Sequence, residues 1–240
     1  KRSGSCSCLY YEQTKSGGGN MDEIILTKQY AKNAVPKIDK SEVFRYAGQQ
    51  GEADDKLQKR LEELIQKLEV SYKVCFLRVE ELPFEHESAD LKALLEEGNA
   101  VYLFAATLGT SIDRQIAKLQ KTSQTDALLL DALGTERIEA LCTKFVMDMQ
   151  SNEISRGNTL TKRFSPGYGD FPLEMQKEMF KALDIGKRIG VSLSDTFLMS
   201  PSKSVTAIMG VQKAQAKMDM EKFCSHKCDK CQNEKCQFRK

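Results

Sequence analysis

The segment from about Asp126 to Met149 constrains the fold most, because its apolar residues recur every three to four positions without a break. Leu130, Ile138, Leu141, Phe145 and Met149 form the core side of one long helix. A second row runs through Leu128, Ala132, Thr135, Glu139, Cys142 and Val146. Glu139 interrupts an otherwise small or apolar stripe, where a carboxylate is expensive unless it is paired or hydrogen-bonded. Two readings stay open for it: a side chain snorkelling at the rim of the stripe, or a functional acid.

Shorter elements surround that helix. SEVFRYAG (41 to 48) reads as a helical turn with a Ser cap and a Gly stop. DDKLQKRLEELIQKLE is amphipathic, with Leu57, Leu61, Leu64 and Leu68 on one side. YKVCFLRVE (72 to 80) is β-branched and aromatic, hence a strand. ADLKALLEEGN reads as a helix closed by Gly98, AVYLFAATLG (100 to 109) as a buried strand, and TSIDRQIAKLQK as a helix. After SNEISRGN come the strand TLTKRF, the loop RFSPGYGDFP and a single helix over LEMQKEMFKALDIGKRIG, with Met175, Met179 and Leu183 inward. VSLSDTFLMSP and KSVTAIMGV read as two short strands around Pro201, and a helix from Gln212 onward leads to the cysteine-rich end. The expected fold is α+β, a mixed or antiparallel twisted sheet flanked by helices.

Composition removes several function classes. Lys+Arg 36 nearly balance Asp+Glu 34, so no global charge attracts a polyanion, and nucleic acid is not an expected partner. AVYLFAA at 100 to 106 is far short of the roughly 20 residues that a membrane span needs. Residues 1 to 20 are basic and then Gly-rich without an apolar core, and read as a disordered leader, with Met21 the start of the folded part. The expected organisation is that leader, an N-terminal part over 21 to 98, a ligand-binding core over 99 to 215 and a tail over 216 to 240.

Four of the eight cysteines, Cys224, Cys228, Cys231 and Cys236, crowd into thirteen residues as C-x3-C-x2-C-x4-C. This distribution argues against a disulfide scaffold and for a reducing cytoplasm with a local metal site. Zinc, with His226 as a spare ligand, and an iron-sulfur cluster both remain open. The first three cysteines match the radical S-adenosylmethionine spacing, but those enzymes carry it in a barrel loop, so radical chemistry is not expected.

RFSPGYGDFP (163 to 172) is richer than a connecting loop requires. Arg163 offers a planar fork to a carboxylate, Pro166 fixes a backbone angle, Gly167 allows close approach, and Tyr168 adds a flat face and a hydroxyl. Such a loop can hold a small anionic, partly aromatic molecule, or it can be a Pro-Gly turn bearing a surface arginine. RFSPGYGDFPL followed by LSDTFLMSPSKSVTA, together with ALLLDALGTERIEALCTKF, resembles the activation domain of cobalamin-dependent methionine synthase. The likeness is clear over about residues 95 to 210 and weaker from 35 to 95.

The resemblance implies S-adenosylmethionine bound by Arg163, Ser165, Pro166, Gly167 and Tyr168, with Glu139 near the sulfonium or an ordered water. It implies cobalamin carried by a partner, either a separate methionine synthase or another corrinoid protein, and an electron donor such as a flavodoxin or ferredoxin. In that reading oxidised cobalamin is reduced by one electron and trapped by the ligand's methyl group. The chain departs from the family after Gly-Tyr, where Gly169, Asp170 and Phe171 replace a Cys-Pro and His-bearing continuation. No counterpart is found for the family's later Tyr-bearing strand after Gly210 or for its N-terminal Asp contact. An iron-sulfur redox or electron-transfer adaptor in corrinoid metabolism is the alternative function, and a zinc-tail interaction module a third.

Overall fold

A computed structural model describes residues 24–49 and 51–214. The expected leader and the cysteine tail lie outside the described residues. Strands β1 (Leu26–Tyr30), β2 (Tyr72–Val79), β3 (Gly98–Thr107), β4 (Asn158–Leu160) and β7 (Ser204–Lys213) form one sheet. Its order is β1-β2-β3-β7-β4, and every pairing is antiparallel. Helices α1 (Lys40–Tyr46), α2 (Asp55–Gln66), α3 (Ala89–Leu95), α4 (Ser111–Leu119), α5 (Gln124–Ile154), α6 (Gln176–Leu183) and α7 (Ile185–Ile189) surround it, and β5 (Ser192–Leu193) and β6 (Met199–Ser200) pair as a small separate hairpin. The α+β expectation holds, and the large sheet is wholly antiparallel.

Alternation along the strands divides the core between two faces. Val74, Phe76, Tyr102, Phe104, Ala207 and Met209 pack with Val43 of α1, Leu61 of α2, Ile112 of α4 and the inward rows of α5. Cys75, Leu77, Val101, Leu103 and Ile208 pack on the other face with Leu91 of α3, Met179 and Leu183 of α6 and Ile185 of α7. Covering both faces makes β3 buried at every position from Ala100 to Thr107, hence its unbroken apolar run.

Helix α5 is 31 residues long, starting two residues before and ending five after its expected bounds. Leu128, placed in the second inward row, is exposed. Two charged clusters fasten the helix to its surroundings. Buried Arg137 pairs with the adjacent Glu136 and donates to the carbonyls of Pro36 (2.7 Å) and Lys37 (3.2 Å), while Glu136 accepts the Asp39 N–H (3.2 Å). Near the other end, Glu153 is fully buried and accepts from the Tyr102 hydroxyl (2.9 Å), Arg78 Nε (3.0 Å) and Asn158 Nδ2 (2.8 Å). Burial alone would raise the Glu153 pKa, but these hydrogen bonds outweigh it and hold the carboxyl below its ordinary value.

Several local expectations change. Asp39, not Ser41, caps α1, since its carboxylate accepts the N–H groups of Ser41 (2.9 Å) and Glu42 (3.3 Å). Gly98 opens β3, and the preceding helix ends at Leu95. The single helix expected before Gly190 is two, because Asp184 turns left-handed (φ 46°) between α6 and α7. KSVTAIMGV belongs to a ten-residue strand between β3 and β4 that runs on through Gln212 and Lys213, where a helix was expected. Edge strand β1 is an addition, held to α5 by Lys28 (2.6 Å) and Tyr30 (2.9 Å) on Asp148.

Candidate functional site

Beyond β4 the chain keeps running along β7. Thr161 N–H donates to the Gly210 carbonyl (2.9 Å), and Phe164 exchanges two backbone hydrogen bonds with Ile208 (2.9 and 2.8 Å). Phe164 packs into the core under α3, α6 and α7. In extended backbone neighbouring side chains point to opposite faces, and Arg163 turns toward α5. There its Nη2 donates to Glu139 Oε2 at 2.6 Å. The Arg163 side chain is 13% exposed and that of Glu139 33%, so the arginine is mostly covered, unlike the surface arginine of a plain Pro-Gly turn, while the carboxylate is partly open to solvent. Two candidates taken from segments 24 residues apart thus form one ion pair.

The surroundings of the pair are asymmetric. Cys142, one turn along α5 from Glu139, is fully buried, and burial pushes its thiol up to about 12 despite the nearby Arg163. It therefore stays a neutral thiol against the guanidinium. Burial would lower the Arg163 pKa, but the opposing interactions, the Glu139 carboxylate among them, outweigh it and the group stays cationic. Tyr46 of α1 faces the same carboxylate: burial first, then the Glu139 charge, raise its phenol pKa. Arg45 stacks over the Tyr46 ring at 4.2 Å and pairs with Glu42 at 2.6 Å.

The loop after Arg163 is a fastened double turn. Tyr168 N–H reaches the Ser165 carbonyl (3.1 Å), Gly167 N–H the Phe171 carbonyl (2.8 Å), and Phe171 N–H the Tyr168 carbonyl (3.0 Å). Gly167 supplies the left-handed backbone that closes it (φ 93°). Pro166 is buried, Ser165 partly so, and Tyr168 is 67% exposed. A side chain on Gly169 (φ 53°) would meet Asp90 Oδ2 at 2.1 Å. Asp170 accepts the N–H groups of Ala89 (2.6 Å) and Asp90 (3.3 Å) and the Ser88 hydroxyl, capping α3. The Ser88 hydrogen bond, followed by those backbone donors, lowers the Asp170 pKa. Phe171 is buried against Phe164, with ring centroids 6.1 Å apart. Gly169, Asp170 and Phe171 therefore anchor the loop and leave Tyr168 outermost.

Sequence reasoning missed Cys142 and Tyr46 as neighbours of the pair and Asp170 as the loop's anchor. The spacing of three between Glu139 and Cys142 carried a signal for the first; α1 gave none for Tyr46, since only tertiary packing brings it there. A cleft of about 910 Å³ opens elsewhere, between residues 80 to 82 and 84 to 88, Lys92, Leu95, the start of β3, Asp170, Pro172 and Met175. Neither Glu139 nor Arg163 lines it. Among the described residues no group of three or more His, Cys, Asp or Glu side chains is arranged to hold a metal, and no helix is long and apolar enough to cross a membrane. The four clustered cysteines lie outside the described residues.

Comparison with known proteins adds two findings. The chain is similar in fold to the crystal structure of the MetH reactivation domain bound to AdoHcy, with a TM-score of 0.59 and 13% identity over 81% of this chain and 80% of that one. No curated protein sequence matches. The family model for the vitamin B12 dependent methionine synthase activation domain matches residues 88–240, well over half of the chain, and the chain belongs to that family.

Proposed function

We propose that the chain binds S-adenosylmethionine beside the Arg163–Glu139 pair and presents its methyl group to a cobalamin held by a partner protein. The pairing of a mostly covered guanidinium with a more open carboxylate carries the reading, because it matches a ligand bearing both a carboxylate and a sulfonium cation. Arg163 grips the ligand's carboxylate, Glu139 faces the sulfonium, and the exposed Tyr168 ring seats the adenosyl group over the Ser165 to Gly167 backbone. Family membership and the AdoHcy bound to the structurally similar domain support the choice of ligand. The partner is a separate methionine synthase or another corrinoid protein, the electron donor a flavodoxin or ferredoxin, and the compartment the cytoplasm.

Reduced cobalt on the partner supplies the nucleophile. This chain's residues position the ligand. Holding two reactants in register removes an entropic part of the barrier, and the hydrogen bonds that fasten the loop fix the backbone at Tyr168. Cys224, Cys228, Cys231 and Cys236 are proposed to bind one metal, with iron-sulfur favoured over zinc because it would supply an electron; an optical spectrum of anaerobically purified protein distinguishes them. Calorimetric titration of the intact protein with S-adenosylmethionine tests the main reading. Saturable 1:1 binding is expected, and no detectable heat at millimolar ligand would overturn it.

A further inference from the structure

We propose that the cleft beside β3 is a docking site for this chain's own residues 215–240, the segment that carries the four clustered cysteines. Position comes first. Gly98 and Ala100 line the cleft and sit opposite Gln212 and Val211 of β7, just before the chain passes Ala214. The Gln212 amide reaches the Leu94 carbonyl at 3.4 Å, beside Leu95 on the cleft wall. At about 3.3 Å per residue, a few residues beyond Ala214 suffice to enter it.

Charge and polarity then match. Glu80, Glu81, Glu85, Glu87 and Asp170 line the cleft against Lys92, whereas residues 215–240 hold seven Lys and Arg against four Asp and Glu. Leu82, Phe84, Leu95, Val101 and Met175 give the cleft apolar surface, and Met218, Met220 and Phe223 are apolar counterparts in the segment. His86 adds an independent observation. It lines the cleft, and its Nδ1 is buried without a hydrogen-bond partner, a cost that an incoming polar group removes. The cleft also includes Asp170, which anchors the Tyr168 loop. The inference goes beyond the ligand proposal and does not depend on it, since neither Arg163 nor Glu139 lines the cleft.

Carbodiimide cross-linking of the intact protein, mixed with a 15N-labelled copy and mapped by mass spectrometry, tests it. The expected products join Glu80, Glu81, Glu85 or Glu87 to Lys217, Lys222, Lys227 or Lys230 within one copy. They should be lost in a Glu85→Lys/Glu87→Lys variant, and also in the unaltered protein at about 1 M salt, where the screening length falls to about 3 Å. The salt arm keeps the test decisive should the variant fail to fold. No such products, products only between labelled and unlabelled copies, or products persisting in both arms would overturn the proposal. S-adenosylmethionine should bind the folded variant as it binds the parent, so failure of either proposal is read separately.

Discussion

Helix α5 takes part in two Glu–Arg pairs, through Glu136 and Arg137 and, within one turn of them, through Glu139, and the two pairs have opposite designs. Glu136 and Arg137 are both nearly covered, at 7% and 3% side-chain exposure, and they engage the backbone of residues 36, 37 and 39. Glu139 and Arg163 join α5 to the loop strand, and the carboxylate is 33% exposed. The first pair is enclosed and holds an N-terminal segment to the helix; in the second the carboxylate stays partly open to solvent. In the proposed reading similar functional groups serve folding in one place and recognition in the other, and what separates them is access.

The sharpest way to break this contrast is Arg137→Met. Removing one partner of a buried pair strands the other charge, so stability should fall by about 3–5 kcal/mol in equilibrium urea unfolding, while the folded fraction binds S-adenosylmethionine normally. Loss of affinity without loss of stability would reverse the roles assigned to the two pairs.

Glu153→Gln should cost about 1.5–3 kcal/mol, the range for hydrogen bonds to a charged group. It also carries a pH signature. The folded pKa lies below the ordinary 4.5, so the carboxylate's stabilisation is complete above about that value and lost as pH falls through the lower folded pKa. Urea midpoints should decline below pH 4.5 in the parent and decline less in the variant; parallel curves would show that Glu153 does not set the acid limit.

Glu139→Gln keeps an acceptor for Arg163 but removes the charge proposed to face the sulfonium. S-adenosylmethionine should weaken by about 1–2 kcal/mol, roughly 5- to 30-fold, and adenosine should not change. The smallest stability effect belongs to Tyr168→Ala: within about 0.5 kcal/mol, as at exposed sites, with a loss near 1 kcal/mol in ligand affinity from the missing ring. A large thermal shift there would make Tyr168 part of the fold.

Legibility followed periodicity. The α5 core row and the apolar run of β3 could be read because burial leaves a repeating trace in side-chain type. Strand β1 could not, since LTKQY is mostly half-covered and held by Lys28 and Tyr30 on Asp148, a contact 118 to 120 residues away. The break at Asp184 depends on one left-handed residue that α-helical spacing does not reveal. At the site, Glu139 stood out as a charge in an apolar row and Arg163 through its loop motif. Their contact, the burial of Arg163 and the approach of Tyr46 come only from tertiary packing.

The central claim is that Arg163 holds the ligand's carboxylate, and Arg163→Lys tests it most directly because it keeps the charge and removes the planar fork. With its side chain only 13% exposed, some loss of thermal stability is expected, so affinity is measured well below the variant's melting temperature. Calorimetric titration should show S-adenosylmethionine weakened by about 1.5 to 3 kcal/mol, roughly 10- to 150-fold, with adenosine bound alike by both proteins. Equal affinity for S-adenosylmethionine, or an equal loss for adenosine, would contradict the carboxylate assignment.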